Sequence, residues 1–117
     1  MSVNPTSALI ARNMREDALL QNVIRMAKLF GWTVYHARPA MNRSGRWSTP
    51  TQGDIGFPDL AMVRNGRVIF AELKSMRGRL SPEQHNWLAE LSKSVACETY
   101  TWRPTDWLGG QIEGVLR

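Results

Sequence analysis

Asp59, Glu72 and Lys74 are the residues of this chain whose types and spacing could do chemistry together. They fall in the stretch GFPDLAMVRNGRVIFAELKS, residues 56–75, which otherwise alternates apolar residues around an Asn65-Gly66 pair. Asn-Gly between alternating runs signals a two-residue type I′ hairpin. With that turn, Arg64 faces Arg67, Val63 faces Val68, Ala61 faces Phe70 and Asp59 faces Glu72. Strand alternation puts Asp59, Ala61, Val63, Val68, Phe70, Glu72 and Lys74 on one face. That face reads as the buried one, apolar near the turn and charged at its far end. Directly opposed residues have Cβ atoms about 4.5–5.5 Å apart, and like charges there repel. A shared proton, a nearby cation or a bound metal would offset the repulsion. Lys74 brings one positive charge, and Mg2+ or Mn2+, which favour carboxylate oxygens, would bring more. Each residue also has a plainer role open to it: Asp59 as a solvated strand end, Glu72 and Lys74 as an exposed ion pair.

The elements that must position these residues can be read from periodicity. A helix is expected from about Met14 to Phe30, stopped by Gly31, with Asn13 as a candidate N-cap. Counted from Glu16, Leu20, Val23, Ala27 and Phe30 lie within about 40° of one direction at helical spacing. Glu16 therefore sits at the end of an apolar stripe; the alternative is a capping box with Asn13. Upstream, NPTSALIAR reads as a short helix or a loose arm. Trp32–Arg38 reads as a strand, followed by a long loop and then the hairpin. Ser81, Pro82 and Gln84 make a good helix start, with Gln84 open to a capping-box role. Trp87, Leu88, Leu91 and Val95 supply that helix's apolar face. VACETYTW is a further strand, and RPTDWLGGQIEGVLR a short closing helix weakened by glycines. The order α-β-β-β-α-β with a possible C-terminal helix points to a mixed α/β sheet. Trp87, Trp102 and Trp107 lie in amphipathic segments and read as core or subunit contact.

Composition bounds the rest. The 117 residues, 43% apolar and 21% charged, have room for one domain spanning 1–117. No apolar run reaches the roughly 18 residues of a membrane span, and no targeting segment is read at the N-terminus. Cys97 is the only cysteine, so an internal disulfide is excluded and a reducing cytosol fits. With His36 and His85 alone beside it, an ordinary zinc site is excluded too. The net charge of +5 favours an anionic partner. Its distribution is informative: residues 36–53 carry Arg38, Arg43, Arg46 and Trp47 and only basic charge.

In order along the chain, Glu16 with Gln21, QGDIGFPDL, FAELK, ELKSMRGRLSPEQHNWL and TYTWRPTDW resemble the VRR-NUC branch of the PD-(D/E)xK nucleases, in its small stand-alone phage and bacterial type. The resemblance runs from about Glu16 onward. It implies a restriction-endonuclease-like fold and a Mg2+- or Mn2+-dependent DNA endonuclease. Asp59 and Glu72 would ligate the metal with the backbone carbonyl of Leu73. Glu16 would complete the shell, and Lys74 would position the attacking water or steady charge on the phosphate. Gln84 matches the family's helix glutamine. Arg38, Arg43, Arg46, Arg77 and Arg79 would pair with phosphates, and Trp47 would stack on a base; the plainer reading is a solvated loop. The expected activity is that of a homodimer on branched DNA, like a Holliday-junction resolvase, in the cytoplasm of a bacterium or a phage-infected cell. The alternatives are a nuclease with nicking or flap specificity and a non-catalytic DNA-binding module.

Overall fold

The computed structural model describes residues 4–37, 40–41, 44–48 and 51–117, the side chains of 40–41 and 47–48 excepted. In chain order the elements are α1 Pro5–Asn13, α2 Glu16–Leu29, β1 Thr33–Tyr35, β2 Ala40–Met41, β3 Trp47–Ser48, β4 Leu60–Arg64, β5 Arg67–Leu73, α3 Pro82–Ser92, β6 Glu98–Trp102, α4 Pro104–Leu108 and α5 Gln111–Leu116. A four-stranded sheet runs β1-β4-β5-β6, antiparallel except for the parallel β5–β6 pair. This mixed sheet flanked by helices agrees with the restriction-endonuclease-like architecture expected above.

The hairpin forms in the expected register, Arg64 opposite Arg67, Val63 opposite Val68 and Ala61 opposite Phe70. Asn65 and Gly66 both take positive φ, 49° and 81°, as a type I′ turn requires. Its buried face is the other one, however. Leu60, Met62, Ile69, Ala71 and Leu73 are fully buried, joined in one core by Leu19, Val23 and Ala27 of α2, by Trp32 and Trp102, and by Ile112 and Leu116 of α5. The face shared by Asp59 and Glu72 has thinner cover, and Val63 on it is 46% exposed. Both hairpin faces alternate apolar residues, so the choice rests on where the helices pack.

Three boundaries differ from expectation. Asn13 does not cap α2: it ends α1, a helix capped by Asn4 and opened by Pro5, and the residue before α2 is Arg15, which makes no side-chain cap. Val95 is fully exposed beyond the end of α3 and joins no apolar face. The C-terminal stretch is two helices, broken where Gly110 takes φ 83°. Within the expected long loop, β2 and β3 pair as a small ribbon.

Two arginines tie the layers together by capping helix ends. Arg64 Nη1 donates to Phe30 O and Leu116 O at 2.9 Å each, closing the C-termini of α2 and α5. Its guanidinium lies 4.7 Å from the Trp32 ring centroid, and Trp32 Nε1 donates to Leu116 O at 2.8 Å. Arg67 also stacks near Trp32 and pairs with both Glu98 oxygens at 2.8 Å. Cations at helix C-termini meet carbonyls that have no intrahelical partner.

Candidate functional site

Asp59 ends the loop before β4, one residue beyond the last ladder pair, Leu60 with Ala71. The register would oppose it to Glu72, but its Oδ2 instead accepts from the backbone N of Leu73 at 2.8 Å. An extended residue sends its N–H and C=O to the same side, so the Leu73 carbonyl also faces the Asp59 edge. Lys74 continues β5; its N–H donates to Trp102 O at 2.9 Å. Its side chain is largely buried, its stem packed against Gly78.

Glu72 is 1% exposed. Its Oε1 accepts from Gln84 Nε2 at 3.2 Å, and its Oε2 has no hydrogen-bond partner among the described residues. Burial, then the neighbouring Asp59 carboxylate, raises its pKa from 4.5 to about 9, against the opposing effect of the Lys74 charge. An uncompensated buried carboxylate is costly, so burial beside Asp59 favours the neutral form of this group in the metal-free protein.

Gln84 resolves two alternatives at once. It is N3 of α3 and closes a complete capping box with Ser81: Gln84 N donates to Ser81 Oγ at 3.1 Å and Ser81 N donates to Gln84 Oε1 at 2.9 Å. With its oxygen engaged by the cap, its amide NH2 points to Glu72.

Glu16 opens α2 on the far side of a cavity of about 660 Å3 that it lines with Gln21, His36, Asp59 and Ser75. Burial by the surrounding protein, then Asp59 and Asp17, raise its pKa, while Lys74 lowers it. Lys74 thus acts electrostatically on both Glu16 and Glu72, though no ion pair joins it to either among the described residues.

The loop carrying Asp59 is clamped to α3. Trp87 Nε1 donates to Ile55 O at 3.0 Å and Asp54 O at 3.3 Å, and Phe57 meets Trp87 and Phe70 edge-on. Gly56, at φ 95°, lies so close to α3 that a Cβ there would come within 2.7 Å of Glu83 C. Behind the site, Arg103 Nη1 donates to Ser75 O at 2.7 Å and Gly78 O at 2.8 Å, shaping the turn after Lys74. His36 Nδ1 lies 2.9 Å from Asp59 O. The sequence does not reveal these supports: its patterning marks Trp87 only as core or subunit contact, and His36 only as too few for zinc. Trp102 is in the core as read, with Trp107 packed partly against it.

The basic residues are spread more widely. Arg77 and Arg79 are exposed on the turn after Lys74, and Arg46 is exposed in the β2–β3 connection. Arg38 and Arg43 lie outside the described residues, as does the side chain of Trp47.

Among the described residues no group of three or more His, Cys, Asp and Glu side chains is placed to hold a metal ion. The donors present still fit a hard cation. Glu72 Oε2 is buried and unpartnered, Asp59 is beside it, and the Leu73 carbonyl faces the same edge. Ions of the Mg2+ type use one or two carboxylates and keep several waters.

No helix of the described residues is long and apolar enough to cross a membrane. No curated protein and no solved structure matches the chain. The VRR-NUC domain, a nuclease-type family, matches at residues 35–101, a segment holding Asp59, Glu72, Lys74 and Gln84 but not Glu16. With more than half of its length inside that match, the chain belongs to the VRR-NUC family.

Proposed function

We propose that the protein is a divalent-metal-dependent DNA endonuclease. The observation that carries this reading is Glu72: a buried carboxyl with an unpartnered oxygen beside Asp59 and Lys74, in a chain of a nuclease-type family. A folding role alone gives no reason to bury an acid next to another acid.

In this reading Asp59, Glu72 and the Leu73 carbonyl would hold a Mg2+ or Mn2+ ion, with Glu16 contributing across the cavity, directly or through water. When bound, such an ion would supply polarisation of the scissile phosphodiester and a bound water of lowered pKa. Glu72 would ligate as the carboxylate, with Gln84 Nε2 holding its Oε1. Lys74 brings the one ammonium charge of the set, positioned to orient the water or to steady negative charge on the phosphate. The Leu73 N–H fixes the orientation of the Asp59 carboxylate. Arg46, Arg77 and Arg79, with Arg38 and Arg43, pair with phosphates away from the cut.

For substrate we propose branched DNA, cut by a homodimer in the manner of a Holliday-junction resolvase. One set of Asp59, Glu72 and Lys74 attacks one phosphodiester at a time, so paired cuts need two chains, and a two-fold dimer suits a junction's approximate symmetry. Nicking or flap cutting is the competing specificity. A single experiment tests the whole reading. Labelled linear, nicked, flap and four-way DNAs are incubated with Mg2+, Mn2+ or EDTA, using wild type, Asp59→Ala and Lys74→Ala, with mass measured by light scattering. Metal-dependent cutting is expected from wild type alone, strongest on the junction and by a dimer. Undiminished cutting in excess EDTA would reject the metal, and a monomer that only nicks would reject the resolvase form. Equal cutting by Asp59→Ala would reject the site.

A further inference from the structure

Asp59 stands between two cavities of different chemistry. On one side is the charged cavity shared with Glu16. On the other is a cavity of about 370 Å3 lined by Tyr35, His36, Thr51, Ile55, Phe57 and Asp59, among others. Glu16, Glu72 and Lys74 are not among the described residues that line the second.

The described lining favours a neutral ligand over an anion. No Lys or Arg is among the described residues that line it, while Asp54 and Asp59 both are. A phosphate would meet repulsion from these two carboxylates. The walls instead offer apolar and aromatic surface open to solvent: Tyr35 is 64% exposed, Ile55 61% and Phe57 44%. The cavity is also stiff on the loop side, since Phe57, Ile55 and Asp54 are pinned by Trp87 and Phe70. At the shared wall, His36 Nδ1 faces the Asp59 carbonyl, an oxygen that only accepts, so Nδ1 carries a proton. The Nε2 atom is the ring's remaining hydrogen-bonding position, on a residue that lines both cavities.

We infer that this cavity receives an unpaired nucleobase next to the scissile phosphodiester, with Tyr35 as its stacking platform. The inference rests on the nuclease reading and deepens it by naming what the substrate must offer: a base already free of its stack beside the cut. A base is a flat neutral ring with polar edges, which suits aromatic walls and a His ring where a phosphate does not. A volume of this size lies within the range of small-molecule sites. A phosphodiester at Asp59 has its flanking nucleosides within one nucleotide's reach of that residue's other side. Taking a base out of duplex costs unpairing and unstacking, a cost that is least where the base is already single-stranded. The selectivity for forks, flaps or junction points over continuous duplex then arises at the cut itself. The exposed arginines add affinity that is blind to DNA structure.

The test uses a forked DNA with one unpaired 2-aminopurine at the branch and a fully paired duplex of the same sequence. Binding is followed in EDTA by anisotropy and by 2-aminopurine fluorescence. Wild type is expected to prefer the fork and to alter the probe's emission. Tyr35→Ala should weaken fork binding by about 5- to 150-fold, the usual worth of one base–aromatic stack, leave duplex binding unchanged and abolish the emission change. Tyr35→Phe should restore both. Ile55→Ala, at a second exposed position, should weaken fork binding selectively to a smaller degree. Equal weakening of fork and duplex, no weakening of either, or a wild type without preference would overturn the inference. Cleavage by wild type with Mn2+ is scored separately. Cutting combined with an unaltered preference in Tyr35→Ala rejects the base cavity alone. A selective loss of fork binding in a protein that never cuts rejects the nuclease reading and keeps the cavity.

Discussion

Gln84 Nε2 donates to Glu72 Oε1 at 3.2 Å, so the N-terminal turn of α3 grips one oxygen of the buried acid and leaves the other turned away. The link joins the helix cap to the site. Whatever fixes α3, including Ser81 at its start and the loop pinned by Trp87, also fixes the orientation of Glu72.

Removing the acid should stabilise the metal-free protein. The Glu72 pKa is raised from 4.5 to about 9, first by burial and then by Asp59. A raised pKa means the folded state binds the proton more tightly. Its stabilising effect is complete below pH 4.5 and is lost as pH rises through about 9. Glu72→Gln, neutral at every pH, should therefore match wild type near pH 4.5 and gain on it steadily above, by up to about 3 kcal/mol at pH 7. Thermal melts in EDTA from pH 5 to 9 measure the difference. Parallel curves for the two proteins would show that Glu72 is charged when buried. The same variant should lose cleavage.

Gln84 separates helix support from site support. Glu at N3 also closes a capping box, so Gln84→Glu should keep most of the α3 cap. It replaces the NH2 facing Glu72 with a carboxylate oxygen. The expected result is a melting point in EDTA close to that of Gln84→Ala or higher, with cleavage reduced about tenfold or more, as for a site hydrogen bond worth over about 1 kcal/mol. Gln84→Ala should lose about 1 kcal/mol with the hydrogen bond from Ser81 N. Full activity in Gln84→Glu would confine Gln84 to the helix.

The loop ahead of Asp59 should fail if Gly56 gains a side chain. Gly56 has φ 95°, and a Cβ would meet Glu83 C at 2.7 Å and Gln84 N at 2.8 Å. Backbone atoms at a helix start cannot swing aside as a flexible side chain can. Gly56→Ala should cost on the order of 1–3 kcal/mol and lower cleavage by shifting Asp59. Gly53→Ala is the control: it too has positive φ, 101°, but an added Cβ there meets nothing within 4 Å. Similar losses in both variants would mean that the contact with α3 contributes nothing beyond the backbone conformation.

What the sequence made legible was local chemistry. Asn65-Gly66 set the hairpin and its register because φ > 0 at two adjacent positions has few sequence solutions. Ser81, Pro82 and Gln84 announced α3 for the same reason: caps are built from residues three apart. The structure brings Asp59, Glu72 and Gln84 to one edge of the sheet. Which hairpin face is buried was not legible, since Leu60, Met62, Ile69, Ala71 and Leu73 alternate as cleanly as the opposite set. Only the packing of α2 and α5, distant in the chain, decides it. Asn13 misled because the helix it ends begins at Asn4, whose side chain accepts from Ser7 N. Arg64 and Arg103 bind backbone carbonyls many residues away, contacts that no spacing rule predicts.

The arginines should govern affinity through salt. Each phosphate neutralised by a cation releases condensed counterions, so log affinity falls with log salt in proportion to the contacts made, by about 0.9 per phosphate on duplex DNA. Arg77 and Arg79 lie exposed on the turn that follows Lys74, and Arg46 is exposed in the β2–β3 connection. The net charge is +5, but Arg64 and Arg67 are occupied with helix ends, Trp32 and Glu98. Arg77 and Arg79, exposed beside the site, are therefore the first candidates for phosphate contacts. Replacing Arg77 and Arg79 together with Ala should reduce the slope by about 1–2 units and leave metal-free stability within about 0.5 kcal/mol of wild type. Replacing Arg38, Arg43 and Arg46 together should flatten it further. The measurement is duplex binding in EDTA between low and moderate salt. An unchanged slope in both variants would return these arginines to a solvated surface. A changed slope in one alone would tell which of the two sets the DNA backbone meets.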